Sequence, residues 1–232
     1  EKYAVRRYGF HGTSHRYVSA RCFELLGKPD GKDTRVISCH LGNGSSIAAL
    51  KDGKVIDTTM GLTPLDGFMM GTRSGSIDPS VVSFIMDKEG MTPHEIDELL
   101  NKKSGMLGIS GVSSDDRDIA QAIQDGHERA KLAWDMRTYD IIKYIGGYIA
   151  ALGGIDALIF TAGIGENQSK LREEILNSLG YRGVKVDLEK NSIRGQEVEI
   201  TTPDSTVRGF VIPTNEEIVI ARDTQELVNA IK

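Results

Sequence analysis

The chain has 232 residues, of which 39% are hydrophobic and 26% charged, with a formal net charge of −5. This is the composition of an ordinary globular protein able to bury a substantial core. The acidic balance argues against a nucleic-acid or anionic-membrane partner, and no apolar run approaches the roughly 20 residues needed to span a bilayer.

The opening residues, Glu1 to Arg7, carry basic side chains without a following hydrophobic stretch, so no secretory signal is expected. The lack of an initiating Met suggests a fragment or a processed chain. Gly9-Phe-His-Gly-Thr-Ser-His15 reads as a turn-rich stretch whose glycines argue against a helix. A helical pattern follows through Val18, Cys22, Phe23, Leu25 and Leu26 and stops at Gly27 and Pro29. Three strands are predicted next: Arg35 to His40, Ser45 to Leu50 and Lys54 to Thr58, joined by Asn-Gly and Asp-Gly turns as an antiparallel meander. Cys22 and Cys39 both lie in apolar patterns and read as buried thiols, which leaves the cytoplasm as the expected compartment.

Thr59 to Ser76 shows no clean period and is expected to be a long functional loop. From Pro79 the period becomes helical. Short helices are predicted around Val81 to Met86, from Pro93 through Leu100, and around Ile119 and Ile123. Glu128 to Leu152 reads as a long core helix, and Ala157 to Thr161 as a short buried strand. A helix over Leu171–Leu179, a strand over Val207–Ile212 and a terminal helix from Asn215 to about Ala230 complete the order. The predicted fold is α/β: a ribonuclease-H-like domain, with a three-stranded antiparallel meander leading into alternating helices and parallel strands.

Glycine is used sparingly in linkers and concentrated in short loops, which makes those loops the candidate sites. His40-Leu41-Gly42-Asn43-Gly44 tips the first hairpin, where two glycines let backbone amides approach a polyphosphate; the alternative is an ordinary Asn-Gly turn. Gly163-Ile164-Gly165-Glu166-Asn167 is read as a second glycine loop between a buried strand and a helix, a setting that favours an anion; a close strand–helix turn is the bland alternative. The two loops together are expected to serve one triphosphate.

Asp115, Asp116 and Arg117 suit either a helix N-cap or contacts to a nucleoside. Arg73, among small residues in Met70 to Gly75, suits charge building up on a transferring phosphoryl group, or is a plain surface arginine. His11 suits anion or transition-state stabilisation better than a zinc site with His15. Glu216 suits Mg²⁺, directly or through water, or a helix cap.

Five blocks in order closely resemble the acetate kinase family of the acetate and sugar kinase, heat-shock chaperone and actin superfamily. They are Gly-Phe-His-Gly-Thr-Ser-His, His-Leu-Gly-Asn-Gly, Met-Gly-Thr-Arg-Ser-Gly, Phe-Thr-Ala-Gly-Ile-Gly-Glu-Asn and Pro-Thr-Asn-Glu-Glu. The resemblance implies an ATP- and Mg²⁺-dependent transferase that makes acetyl phosphate and ADP reversibly, acting as a homodimer in acetate metabolism. It implies nucleotide contacts from His40 to Gly44, Asp115 to Arg117 and Gly163 to Asn167, catalytic roles for His11 and Arg73, and metal binding for Glu216. It also implies that residues 1–232 are the family's C-terminal nucleotide-binding domain. The family's amino-terminal phosphate loop, acetate-binding arginine and catalytic aspartate have no counterpart, and Arg6 and Arg7 are not substitutes, so the chain alone is expected to be inactive. Two other readings stand beside this one: a propionate or butyrate kinase, and an inert nucleotide-binding or dimerisation module.

Overall fold

Strand β1 (Arg35–Leu41) is buried from Val36 to Leu41 without alternation, the mark of a strand covered on both faces. The computed structural model describes residues 2–231 and makes β1 an interior strand of a six-stranded sheet. With β2 (Ser45–Lys51), β3 (Lys54–Thr58), β4 (Ala157–Thr161), β5 (Val198–Glu199) and β6 (Arg208–Val211), the order is β3-β2-β1-β4-β6-β5. β1 pairs parallel with β4, and β4 parallel with β6; β2–β3 and β5–β6 are antiparallel. The predicted meander and parallel core are both present. β3 is solvent-exposed and carries Lys54 and Asp57, charges that blunt a sheet edge against further pairing.

The chain divides into two compact units. One contains Phe10–Leu41, Ile47–Thr58 and the residues from Ile145 onward. It holds most of the sheet and helix α1 (Gly12–Leu25), whose Val18, Cys22 and Phe23 pack with Val36, Ala48, Leu50, Ala157, Ile159, Phe210 and Ile212. It also holds α7 (Ala162–Asn167), α8 (Ser169–Ser178), α9 (Leu188–Asn191) and α10 (Glu216–Ile231). Asp156 ties the starts of two parallel strands: its carboxylate accepts from the Arg35 amide at 2.7 Å.

The other unit comprises the residues up to Gly9, Gly42–Ser46 and Thr59–Tyr144. The long loop after β3 is present as expected. It is followed by α2 (Pro79–Glu89), α3 (Pro93–Lys102), α4 (Gly105–Ser110) and α5 (Asp116–Gln124). Asp78 caps α2, and Thr92 with Glu95 forms a reciprocal capping box on α3. Helix α6 (Glu128–Leu152) has the predicted bounds and contributes to both units. Its first turn is closed by His127, whose Nδ1 accepts from the Ala130 amide at 3.2 Å.

Two local expectations are corrected. The stretch around His11 is helical from Gly12, with His11 as N-cap at φ 60°; burial of Ser14 and His15 outweighs the weak helix preference of a glycine in the first turn. Gly163 to Asn167 is not a loop but α7. The Glu166 carboxylate reaches back to the Ala162 amide at 2.9 Å, and Ala162 takes up the strand-to-helix turn at φ 65°.

Candidate functional site

In the sheet-bearing unit, three segments meet at the carboxyl ends of adjacent parallel strands, where open α/β sheets bind ligands. His40 and Leu41 end β1, Gly163 to Asn167 follow β4, and Thr214 to Glu216 follow β6. His40 stands in register with Thr161. A Cβ added to Gly165 would meet Leu41 Cβ at 3.7 Å and the Cys39 carbonyl oxygen at 3.7 Å, whereas Gly163 faces open space. Glu166 also accepts from the Thr214 amide at 3.4 Å, linking the β4 and β6 ends, and Asn167 donates to the Gly163 carbonyl at 2.9 Å. Ile164, between the two glycines, is half-buried. The Thr161 and Thr214 hydroxyls are buried there without a hydrogen-bond partner among the described residues.

The N-terminus of α1 brings a histidine cluster to the β1 end. The His11 ring stacks on His40, centroids 4.0 Å apart, and His15 meets His40 edge-on at 6.1 Å. His40 Nδ1 shares a hydrogen bond with Ser14 Oγ at 2.8 Å, and His15 Nδ1 with Ser38 Oγ at 2.9 Å. Burial first, and then the charge of His11, pull His15 down to about 3; the same causes, with His15 added, pull His40 to about 3. Both rings are therefore neutral at pH 7. Among the described residues no set of three His, Cys, Asp or Glu side chains is placed to hold a metal ion.

Glu216 lies exposed in the first turn of α10. The cap of that helix is Asn215, whose Oδ1 accepts from the Ile218 amide at 3.1 Å. One exposed carboxylate fits Mg²⁺, which usually keeps several waters and takes one or two carboxylates plus substrate phosphates.

In the helical unit, the remaining candidates gather around Gly71. The Gly71 amide donates to the Asn43 carbonyl at 3.3 Å, and a Cβ at Gly71 would collide with Asn43 Oδ1 and lie 3.2 Å from the Ser114 carbonyl oxygen. The turn of Gly42, Asn43 and Gly44 is braced by Ser45, whose hydroxyl donates to the Gly42 carbonyl at 2.8 Å. Neither glycine of that turn has a positive φ, so the case for them rests on size rather than left-handed backbone.

The Arg73 loop is clamped from the far side. The Met106 and Leu107 amides at the start of α4 donate to the Met70 and Gly71 carbonyls at 2.9 and 3.0 Å, and Ser74 donates to Leu100 at 3.0 Å. Gly75 turns at φ 73°, with the Phe68 carbonyl carbon 2.5 Å from where a Cβ would stand. On this rigid loop the half-buried Arg73 makes only long contacts, to the Pro64 carbonyl at 3.4 Å and Met70 Sδ at 3.8 Å. Among the described residues no carboxylate pairs with it.

Asp115 is the N-cap of α5, accepting from the Arg117 amide at 2.8 Å, and its carboxylate also pairs with the Arg117 guanidinium at 2.6 Å. The latter keeps Asp115 down at about 2. Both side chains are reachable from solvent. Asp116 is different: its carboxylate is buried against Arg137, which stacks over Trp134 at 5.0 Å. Its local duty is thus to anchor the segment. Sequence reasoning missed Arg137 and Ser38, and gave Gly71 and Ser14 no role of their own within their motifs; Arg137 has a readable signal, because it falls on the buried stripe of α6 with Ala133, Trp134 and Ile141.

A doubly covered parallel core with an antiparallel hairpin extension and ligand-type turns at the strand ends defines the ribonuclease-H-like class of the actin and sugar-kinase folds. The sequence model of the acetokinase family matches residues 1–222. An acetate kinase of Methanosarcina barkeri is 60% identical over 228 residues, covering 98% of this chain and 56% of the relative. The crystal structure of Porphyromonas gingivalis acetate kinase superposes with a TM-score of 0.94 at 53% identity, over 98% of this chain and 57% of that one. A propionate kinase structure from Francisella tularensis gives 0.87 at 45% identity, over 95% and 56%. The chain belongs to the acetokinase family. It spans about half the length of the curated relatives it matches.

Proposed function

We propose that this chain is the carboxy-terminal, nucleotide-handling part of an acetate kinase, which transfers a phosphoryl group reversibly between ATP and the carboxylate of acetate. The observation that carries this reading is Arg73, a half-buried guanidinium without a carboxylate partner on a clamped loop. An unpaired cation held rigid is poised for an anion, and phosphoryl transfer depends mainly on positioning and charge stabilisation.

In this reading His11 and Arg73 stabilise the charge on the phosphoryl group in flight. His40, Leu41, Gly42, Asn43, Gly44 and Gly163 to Asn167 hold the nucleotide's phosphates, and Asp115 and Arg117 the adenosine, with Asp116 anchoring their helix. Glu216 holds Mg²⁺, which supplies charge neutralisation on the phosphates when bound. Neutral His40 and Ser14 keep the His11 ring in place. Among the described residues no helix is long and apolar enough to cross a membrane; a cytoplasmic homodimer, without nucleic-acid partners, is the setting proposed.

Propionate kinase is the second reading, favoured by the 45% identical Francisella tularensis structure. Turnover of acetate, propionate and butyrate by the family-length protein separates the two. Acetate is expected to be preferred, and Arg73→Ala is expected to lower turnover of whichever acid is used by about a thousandfold or more. Turnover in that variant within about tenfold of wild type would falsify the assignment. An inert nucleotide-binding module predicts no acid-dependent turnover in the family-length protein at all.

A further inference from the structure

The bulkiest fully buried side chain among the described residues is a charged one. Arg172 on α8 is 0% exposed and sits in the same buried stripe as Leu171, Ile175 and Leu176. Its Nε donates to Asn191 Oδ1 at 2.9 Å, Nη2 to the Asn191 carbonyl at 2.5 Å, and Nη1 to the Gly165 carbonyl at 2.9 Å. Asn191, itself buried on α9, donates onward to the Ser169 carbonyl at 2.9 Å. Among the described residues no carboxylate pairs with it; burial, and then the neighbouring Arg194, lower the guanidinium to about 10. It is still a cation at pH 7.

A buried cation without a counter-ion is costly, and an aliphatic side chain would fill this face of α8 at no such cost. What the arginine alone provides is a rigid fork that reaches two elements at once. One prong holds α9. The other holds Gly165, whose inner side rests on Phe160, Cys39 and Leu41 while Gly163, half a turn away, faces open space.

We infer that Arg172 is a positioning residue for the Gly163–Asn167 segment, locking the Gly165 carbonyl to α9 and thereby fixing the orientation of the segment to which the nucleotide reading assigns a phosphate. This rests on the nucleotide reading above. Arg172 itself touches no ligand.

The test compares wild type, Arg172→Lys, Arg172→Met and Asn191→Ala as the 232-residue chain. Mg-ATP titration calorimetry is read beside thermal melting and amide hydrogen exchange at Gly163 to Asn167. A positioning fork predicts at least tenfold weaker ATP binding in both arginine variants, because an ammonium keeps the charge but not the geometry. Asn191→Ala is expected to weaken binding about threefold, and all three to exchange the 163–167 amides at least tenfold faster. Full rescue by lysine overturns the claim, as does a folded Arg172→Met protein that binds ATP within twofold of wild type. If Arg172→Met does not fold, Asn191→Ala decides by the same criteria. If wild type binds no ATP, the nucleotide reading fails, and the exchange rates alone decide whether Arg172 positions the turn.

Discussion

His11 and His40 stack with ring centroids 4.0 Å apart and planes 11° from parallel, so the N-cap of α1 is seated on the last turn-facing residues of β1. The partly exposed ring rests on one that is buried and hydrogen-bonded to Ser14. Whatever His11 contacts, its plane is set by His40.

This stack has a pH signature. An unfolded histidine takes a proton near pH 6.5, but burial and the neighbouring rings delay this to about 3 for both His15 and His40. Unfolding between these values takes up protons. The stability they contribute is therefore complete above about pH 6.5 and drains away as pH falls toward 3, at about 1.4 kcal/mol per pH unit for each ring. Urea unfolding of wild type and His40→Phe at pH 7 and pH 4.5 is expected to show a shallower loss in the variant. Parallel losses in the two proteins would contradict this origin.

Gly71 and Gly75 fix the Arg73 loop by different means, and alanine at each reads a different consequence. At Gly71 the added methyl collides with Asn43 Oδ1, a side chain that can move aside. We expect a stability loss of about 1 kcal/mol together with weakened ATP binding. At Gly75 the methyl meets backbone, at φ 73°, and a loss of about 2 kcal/mol or more is expected. Denaturant midpoints of the two variants decide; equal, negligible shifts would mean the loop is not clamped.

Asp115 and Asp116 are adjacent carboxylates with opposite fates. Asp116→Ala strands the buried Arg137 and is expected to cost about 3–5 kcal/mol, the range for breaking a buried pair. Asp115→Ala removes an exposed cap at about 1 kcal/mol but is expected to weaken ATP binding several-fold. Chemical denaturation with parallel ATP titration distinguishes them. A reversed order of stability losses would refute the assignment of roles.

Arg73→Ala should leave folding nearly untouched, within about 0.5 kcal/mol, because only long contacts are lost. ATP affinity should stay within threefold, while turnover in the family-length protein falls by about a thousandfold or more, the scale of a removed transition-state cation. The 232 residues alone are expected to show no acetate-dependent ATP turnover in a coupled ADP assay, since the chain spans only about half the length of its relatives.

The long and strongly patterned elements were legible in the sequence: α6 and β4 carry their predicted bounds, and α10 nearly so. Short elements were not. α4 and α9 have too few residues to show a period, and α4 depends on loop carbonyls for its first turn. α7 was hidden by its glycines, because the side chain that closes it, Glu166, acts back across four residues onto Ala162. The candidate site residues were readable as glycine-flanked polar motifs, but their supports were not. Arg172 and Arg137 look like ordinary helix-surface charges until one notes that each falls in phase with buried aliphatic neighbours.

Calorimetric titration of Mg-ATP into the 232-residue chain, with Asn43→Ala and Gly163→Val beside wild type, probes the nucleotide-handling reading at its root. One saturable site in wild type, lost or weakened at least tenfold in each variant while melting temperatures hold, is the predicted outcome. No heat of binding in wild type, or undiminished affinity in both variants, would contradict it.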